Sequence, residues 1–499
     1  MDKKKEYTHR YIARVVLEAE TPLFVGSGET ALLKDALVQR DTHGFPMIQG
    51  TSLAGVLRHA LEDNPKNDKD WSSLFGYQAP KGKKGLGSQV KISSAYLVLE
   101  NGKVAEGLNP FYKEGGVVSS EEALKKLEKY QNHFKELPIR QHVRINEKGV
   151  AHDKGLFDNE VVYKGCRFLF EIELKGDADD EKLWDEFLNQ LKSPLFRLGQ
   201  GTRNGYGNLS VKDCKAKVFD LKNGDFDAYL NFDNSLNPQN AQNDCFQDCK
   251  ELKSDAELTH YKLVLKPENF FMFGAGYGDE EVDNIPLTEE VVTYQNGTIQ
   301  KPQKQTLIPA SSIKGALSHR TAFHYNKKMG LKAETFENQF DKIATIYTGI
   351  NNLAVSELFG AQEGAKVTEN NEEHSVEKQP VGMRGKIIIN DILLDEKYKV
   401  GDKIFNHVAI DRFTGGAMDG ALFSEKVSYF ENENQEVELD IFIEDIKHDK
   451  KETIIEAFEN ALKDVCKGLL PLGGMTTKGH GIFTGKLLKD KEEVYNYEN

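Results

Sequence analysis

The sequence predicts an α+β protein made of two tandem domains, each with the β-α-β-β-α-β order of a ferredoxin-like (RRM-like) fold, with insertions and Gly-rich loops. Two observations predict this fold. Sequence blocks of the first half recur in the same order in the second half, and each half repeats one succession of strand-like and helix-like patterns. The recurring blocks are 21–28 with 268–276, 46–58 with 307–320, 74–76 with 358–360, 142–146 and 155–157 with 407–411 and 421–423, and 198–207 with 472–481.

The first half supplies the six elements in order. Its predicted elements are strand 11–20, helix 51–61, strands 90–99 and 167–174, helix 179–191 and strand 205–211, with helix 119–134 as an insertion. The strands are apolar, β-branched or alternating. The first helix has Thr51 or Ser52 as its N-cap, and the second has the helical spacing of Leu183, Trp184 and Phe187.

The second half repeats this order after an acidic stretch. Its predicted elements are strand 261–265, helix 311–324, strands 386–394 and 437–443, helix 453–466 and strand 481–487. The sequence therefore predicts a first domain at 1–218, an acidic linker at 219–257 and a second domain at 258–499.

The charge of the chain is uneven. With 65 Lys and Arg against 79 Asp and Glu, the formal net charge is −14, which by itself opposes binding to a polyanion. Three stretches together carry more negative charge than the net charge of the whole chain. Residues 219–257 include nine acidic residues and three lysines, residues 277–290 include six acidic residues and no base, and residues 431–445 include seven acidic residues. The remainder is slightly basic, so we expect the acids to lie outside any basic groove.

Composition also bears on the compartment. No apolar run approaches the roughly 18 residues of a membrane span, and the first ten residues are polar, so we expect a soluble, cytoplasmic protein. Five scattered cysteines argue against a secreted disulfide framework. Cys245 and Cys249 lack a second ligand pair at zinc-site spacing, so no zinc site is expected there. The other cysteines are Cys166, Cys214 and Cys466.

Two Gly-rich loops are candidate anion sites. Residues 199–207 and 473–481 follow a predicted helix and precede a strand, and their backbone amides could form a donor nest beside Arg203 and Lys478. The opposite order, strand then glycines then helix, is required for a Walker loop or a dinucleotide motif, so nucleotide-dependent catalysis is unsupported. Blocks 49–55 and 310–315 open helices, whose amino ends attract anions. The alternative readings are tight turns and ordinary helix caps.

Together these blocks resemble the RAMP superfamily of CRISPR RNA-binding proteins, and specifically the repeated backbone subunit of type III effector complexes. The residues that carry the resemblance are 35–41 (DALVQRD), 44–58 (GFPMIQGTSLAGVLR), 308–315 (IPASSIKG), 410–415 (IDRFTG) and 420–425 (GALFSE). Two such domains in one polypeptide are similar to the fused subunits of the type III-D branch.

The resemblance implies a metal-dependent endoribonuclease that cleaves target RNA within a ribonucleoprotein complex. The family's catalytic loop aspartate falls on Asp35, where a carboxylate suits holding Mg²⁺ or Mn²⁺ or helping to deprotonate a 2′-hydroxyl. The second half has no aspartate at the same distance from its Ser-Ser block. Asp283 is the nearest analogue and Asp279 a weaker one, while Glu280 and Glu281 either assist a metal or are solvated. The predicted catalytic and metal-binding residues are therefore Asp35 and Asp283.

The resemblance also implies contacts with the guide RNA. Thumb-like loops are expected at 142–156 and 407–422. The second loop, with Gly415, Gly416, Ala417 and Met418, could wedge between bases. Arg140, Arg384 and Lys386 are further phosphate candidates. The predicted RNA contacts are Gly50, Ser52, Arg58, His142, Arg144, Gly201, Arg203, Ser312, Lys314, Arg320, His407, Arg412, Gly474 and Lys478.

The implied partners are a CRISPR guide RNA, complementary target RNA and the other type III effector subunits, without a membrane. Three alternatives remain open at this point. The chain could have the same assembly role without catalysis, it could process guide precursors without a metal through His142 or His407, or it could be a carbohydrate- or protein-binding repeat module.

Overall fold

The structure is a computed structural model that describes residues 7–30, 35–62, 71–79, 85–107, 111, 120–146, 150–237, 246–254, 256–331, 347–362, 366–368, 376–378 and 382–497.

The first half contains one antiparallel sheet with helices on both faces. Its elements are β1 His9–Ala19, β2 Met47–Ile48, α1 Gly50–Glu62, α2 Ser72–Phe75, β3 Val90–Ile92, β4 Ala95–Glu100, β5 Lys103–Val104, α3 Ser120–Phe134, β6 Ile139–Ile145, β7 Ala151–Glu160, β8 Arg167–Gly176, α4 Glu181–Asn189, β9 Leu209–Asp220, α5 Phe226–Leu230 and β10 Gln247–Asp248. The sheet runs β10-β9-β1-β8-β4, with β3 also paired to β8. Numbered by their place in the motif, the strands lie in the order 4-1-3-2 of the ferredoxin-like fold. Helices α1 and α4 pack on the face of Tyr11, and the short α5 packs on the face of Arg10.

The second half repeats this sheet. Its elements are β11 Leu258–Pro267, β12 Thr288–Val291, β13 Tyr294–Gln295, β14 Thr298–Ile299, β15 Gln303–Ile308, α6 Ala310–Lys328, α7 Leu353–Phe359, β16 Gly360–Ala361, β17 Lys366–Thr368, β18 Val376–Lys378, β19 Met383–Arg384, β20 Ile387–Ile389, β21 Ile392–Leu394, β22 Val400–Ile410, β23 Ala417–Phe430, β24 Val437–Glu444, α8 Lys451–Cys466, β25 Phe483–Lys489 and β26 Glu492–Asn496. Its main sheet runs β20-β24-β11-β25-β26, which gives the same order. The predicted α+β, ferredoxin-like class is confirmed.

Each half has its own hydrophobic core. In the first, Leu53, Leu57 and Leu61 recur every four residues, so they share one face of α1, and all three are fully buried with the sheet residues Val15 and Leu17. In the second, α6 and α8 pack on the other sheet in the same way. Each fully buried Leu contributes about 1.5–3 kcal/mol to stability.

Several predicted boundaries need correction. Helix α1 begins at Gly50, so Thr51 and Ser52 lie in its first turn and neither is its N-cap. A Cβ at Gly50 would collide with the Ile92 carbonyl, so the helix start sits directly on β3. The predicted strand 90–99 is divided into β3 and β4, which belong to one sheet. The predicted strand 386–394 is divided into β20 and β21, which belong to two different sheets. The predicted strand 205–211 starts only at Leu209.

The described part of the acidic stretch 219–257 packs on the first sheet. The Arg14 guanidinium lies 5.1 Å from the Phe232 ring centroid and 5.2 Å from that of Phe246. A disulfide joins Cys214 on β9 to Cys249, next to the paired strand β10, whereas Cys245 lies outside the described residues. The predicted domain limits stay predictions, but acidic composition here does not mean a detached chain.

A segment of the second half completes the first half. Strand β14 pairs with β4 through Thr298 and Glu100, and Val292 and Ile299 are buried in the first core. The Tyr294 hydroxyl donates to the Val98 carbonyl at 2.6 Å and accepts from the Arg167 amide at 3.2 Å. The two halves are therefore joined by backbone pairing and by a shared core.

A buried ion cluster lies at the interface between the two halves, which we call the seam. Arg140 at the start of β6 is 3% exposed and pairs with Asp391 and Glu289 of the second half. Asp391 also accepts from the Ala310 amide at 2.7 Å, which caps α6. A Cβ on Gly205 would overlap the Asp391 carboxylate, so the first Gly-rich loop lies directly against it. Glu289 belongs to the acidic stretch 277–290, and its charge is paired inside the protein instead of lying on the surface.

None of the described helices is long and apolar enough to cross a membrane.

Replacing the buried Arg140 by Met should lower the free energy of unfolding by about 3–5 kcal/mol, because two carboxylates would stay buried without their cation. Urea denaturation followed by circular dichroism measures this loss. The matched control is Lys125→Met, which removes an exposed i,i+4 pair with Glu121 and should change stability by less than about 0.5 kcal/mol. Equal effects of the two substitutions would contradict a buried charge cluster.

Candidate functional site

A large groove opens between the two halves. It encloses about 1230 Å³ and is lined by β6 of the first half and by the start of α6 and two Gly-rich turns of the second half. The predicted RNA contacts His142, Arg144, Ser312 and Lys314 all line it. The structure thus brings together residues that are far apart in the sequence.

Two hairpins occupy the positions of the predicted thumb loops. Strands β6 and β7 pair to form the first, and β22 and β23 pair to form the second. Both expose apolar side chains, and Phe413 at the tip of the second is 98% exposed. Their apolar positions correspond: Val143, Ile145 and Leu156 in the first hairpin, and Val408, Ile410 and Leu422 in the second.

Asp35 is exposed and held against the first hairpin. The Asp35 amide donates to Asp158 Oδ1 at 2.9 Å, and the Asp158 amide donates to Asp35 Oδ2 at 3.1 Å. This reciprocal pair places two carboxylates side by side beside β7.

Asp283 is held against the second hairpin in the same way. Its amide donates to the Ser424 carbonyl at 3.2 Å, and its Oδ2 accepts from the Ser424 amide at 2.7 Å and from the Ser424 hydroxyl at 2.9 Å. These donors favour the ionised form and lower the pKa of Asp283 below its ordinary value of 3.8.

Asp35 and Asp283 occupy equivalent positions in the two halves. Gly26 pairs with Val38, and Gly274 pairs with Pro286, so one constant offset relates Gly26 to Gly274 and Val38 to Pro286. The same offset relates Asp35 to Asp283. The extra length that obscured this register in the sequence follows Pro286 and forms the strands from β12 to β15.

The carboxylates fit a hard divalent cation in part. Mg²⁺ commonly takes one or two carboxylates, with its other ligands from water and substrate phosphate. Asp35 and Asp158 supply two carboxylates, whereas Asp283 has the Ser424 hydroxyl beside it. Within the described ranges no three His, Cys, Asp or Glu side chains converge as a ready-made metal cage.

The other acids near Asp283 face a lysine. The Lys426 ammonium lies 3.1 Å from Asp279 and 3.5 Å from Glu281, while Glu280 is exposed. The hydrogen bonds that Asp279 accepts, first from backbone amides and then from Lys426, lower its pKa. Asp279 and Glu281 are thus engaged in an ion pair beside the hairpin.

The two predicted histidines have different surroundings. His142 Nε2 bonds the Tyr206 hydroxyl, and burial, together with the nearby Arg140, lowers the pKa of His142 to about 4. His407 Nε2 lies 2.7 Å from the fully buried Glu425, which His480 also approaches at 3.6 Å. Tyr206 and His480 stand at equivalent places, since each is followed by the glycine that closes its loop onto Leu198 or Leu472.

The Gly-rich loops owe their glycines to close packing. A Cβ on Gly199 would overlap the Phe24 carbonyl, and one on Gly473 would overlap the Met272 carbonyl. The Gly474 amide donates to Met272, so it is engaged within the fold, and a Cβ on Gly201 would strike the Tyr206 ring. The register of these contacts places Thr477, and not Lys478, at the position of Arg203.

The predicted basic contacts fall into two groups. Arg203 pairs with Glu444 and Arg320 pairs with Asp464, so these two cations are engaged within the protein. Among the described residues no carboxylate pairs with Lys314, which donates to Asn204 Oδ1 at 3.1 Å and lines the groove. The exposed ones are Arg144, Arg412 and Lys478, and Arg58 is half-buried on α1.

Sequence reasoning missed the partners that position these groups. Asp158 and Ser424 directly follow Phe157 and Phe423, which end a recurring block, so aligning the repeat one residue further would have found them. Asp391 and Glu289 carry no such signal, because only folding brings them to Arg140.

Comparisons with known proteins give one family and one relative. The model of the RAMP superfamily matches residues 16–210 and 271–484. A protein of Pyrococcus furiosus named CRISPR system Cmr endoribonuclease Cmr4 is 26% identical over 158 residues, which is 31% of this chain and 52% of that protein. The match thus spans about half the length of this relative.

Substituting Ser424 by Ala should raise the pKa of Asp283 toward its ordinary value, because the hydroxyl donor is lost. The backbone donor remains, so the rise should be partial. Carbon-13 NMR titration of labelled aspartates measures it. Asp411, whose pKa is lowered by Thr414 and Phe413, is the internal control and should not move. An unchanged Asp283 would contradict the contact.

Proposed function

Because the chain belongs to the RAMP superfamily, we propose that it is a guide-RNA-binding backbone subunit of a type III CRISPR effector complex. In this proposal it cleaves complementary target RNA at a loop aspartate in each half. The observation that carries the proposal is the duplicated placement of Asp35 and Asp283 against the two hairpins. One chain then supplies two equivalent cutting positions.

The proposed guide path crosses the groove between the halves. Lys314 and Arg144 line it and attract phosphate, while Val143 and Leu156 offer apolar contacts beside them. The exposed Phe413 at the tip of the second hairpin suits stacking on or wedging between bases. The hairpins would divide the guide–target duplex into segments, with one aspartate beside each division.

The proposed chemistry depends on the carboxylates. Asp35 and Asp158 would hold Mg²⁺ or Mn²⁺, which when bound neutralises charge at the scissile phosphate. Asp283 would serve in the second half, where the Ser424 donors keep it ionised. The hairpin backbone fixes each aspartate, so its carboxylate is oriented before RNA arrives.

The other partners follow from the same proposal. The exposed second hairpin and the other type III effector subunits would meet along the guide, and the complex would act on transcripts in the cytoplasm. The relative named an endoribonuclease is consistent with cleavage in this chain.

In the assembled complex, Asp35→Ala and Asp283→Ala should each slow cleavage at a different set of positions by at least about 100-fold. The double variant should leave RNA bound but uncut. Sequencing gels of end-labelled complementary RNA show which positions are lost. The matched control is the exposed Asp227 on α5, whose change to Asn should leave every position cut.

A chelator arm separates the alternatives. EDTA should abolish cleavage and Mg²⁺ or Mn²⁺ should restore it. Activity that persists in EDTA and falls in His142→Ala or His407→Ala would instead favour metal-independent guide processing. Unaltered cleavage in Asp35→Ala and Asp283→Ala would show that neither aspartate is catalytic.

RNA affinity should fall as the pH rises through about 8. Burial, and then the nearby Arg203, lower the pKa of Lys314 to about 8, so the free protein loses this positive charge between pH ~7 and ~9. Losing one charged phosphate contact should weaken binding by about three- to tenfold. Fluorescence anisotropy with a labelled guide measures this, and Lys314→Arg should flatten the profile. Identical profiles would contradict the role of Lys314.

A further inference from the structure

A second, smaller cavity lies on the first half where it meets the second. It encloses about 490 Å³, and its lining includes three arginines, a histidine and a threonine, namely Arg197, Arg203, Arg384, His59 and Thr202. Arg384 comes from the second half and the others from the first, so the cavity exists only where the halves are joined. A volume of this size admits a phosphoryl group together with an attached sugar.

Arg197 has a donor with no acceptor. The residue is only 6% exposed. Its Nε donates to the Pro194 carbonyl at 3.2 Å and its Nη2 to Asn390 Oδ1 at 2.6 Å, while its buried Nη1 has no hydrogen-bond partner in the protein. Leaving a buried, charged donor unsatisfied is costly, so Arg197 would gain from an acceptor that enters the cavity.

The cations around Arg197 repel one another. Burial, and then Arg203, lower the pKa of the Arg197 guanidinium to about 9. Glu444 is shared, since it pairs with Arg203 and accepts from Arg384 at 2.8 Å. Asp391, the other nearby carboxylate, is already engaged by Arg140 and by the amide that starts α6. An anion in the cavity would relieve this repulsion.

The second half lacks this arrangement. In the register of the Gly-rich loops, Pro471 stands where the first half has Arg197, and Thr477 where it has Arg203. Thr476 and His319, the counterparts of Thr202 and His59, do line the larger groove. The arginines are therefore specific to the first half and are not a requirement of the fold.

We propose that this cavity binds a phosphoryl oxyanion, with Arg197 Nη1 and the Thr202 hydroxyl as direct donors and Arg203 and Arg384 as neighbouring charges. The proposal that the cavity binds a phosphoryl group depends only on the residues that line it. Its assignment to a phosphate of RNA, either a phosphodiester or a terminal phosphate, rests on the proposed function.

The experiment titrates inorganic phosphate into the full-length protein by calorimetry. Wild type should bind one phosphate, and Arg197→Gln should weaken binding about tenfold or more, as expected for loss of a charge-assisted hydrogen bond. Thr202→Val should weaken it severalfold with little change in the fold, which keeps the test decisive if Arg197→Gln unfolds. The matched control Arg10→Gln removes an arginine of β1 and should bind as wild type does.

Labelled RNA then identifies the source of the phosphate. A 5′-phosphate RNA that binds more tightly than its 5′-hydroxyl form, with the difference lost in Arg197→Gln, assigns the pocket to a terminal phosphate. Equal binding of both forms, weakened alike in Arg197→Gln, assigns it to a phosphodiester. No phosphate binding by wild type, or equal binding by wild type and both variants, overturns the pocket. Phosphate binding without any RNA binding keeps the pocket and overturns the proposed function.

Discussion

Arg140 is the residue on which the arrangement of the two halves depends. A guanidinium that is 3% exposed must be paired, and both of its carboxylate partners come from the other half of the chain. Asp391 then caps α6 and leaves room only for a glycine at position 205. This one ion cluster thus sets the distance between the first Gly-rich loop and the start of α6. It thereby sets the width of the groove that is lined by the candidate RNA contacts.

The two halves have equivalent aspartates beside their hairpins, but they have different residues at the seam between the halves. Asp35 and Asp283 keep equivalent reciprocal contacts with their hairpins. The residue after each aspartate also pairs with its hairpin through the backbone, since the Glu160 amide donates to the Ala36 carbonyl and the Lys426 amide to the Asn284 carbonyl. The residues facing the seam have diverged: Tyr206 corresponds to His480, and Arg197 to Pro471. Each half meets a different neighbour there, so equivalent positions are under different physical demands.

The sequence predicted the fold, and it did not predict the seam; the catalytic role it assigned to Asp35 stays a prediction. Element order is enough for a 4-1-3-2 sheet, and Asp35 stands in a local motif that needs no tertiary knowledge. Asp283 was ambiguous because an insertion after Pro286 shifts every distance measured to the Ser-Ser block, whereas strand pairing restores the register. Composition counted Glu289 and Glu444 within two acidic stretches, yet they pair with Arg140 and Arg203. Charge counts carry no information about burial, so the fate of the predicted basic contacts required the structure.

Residues 291–299 of the second half belong to the sheet and core of the first half, and this affects how the molecule unfolds. Proteins of this size often melt domain by domain, because each core is independent. Here the first core includes Val292 and Ile299 of the second half, and its sheet is extended by β14 and then β13. Detaching either half would open an edge strand and expose apolar surface in the other. The two cores are therefore physically linked, and we expect the chain to unfold as one cooperative unit despite its internal repeat.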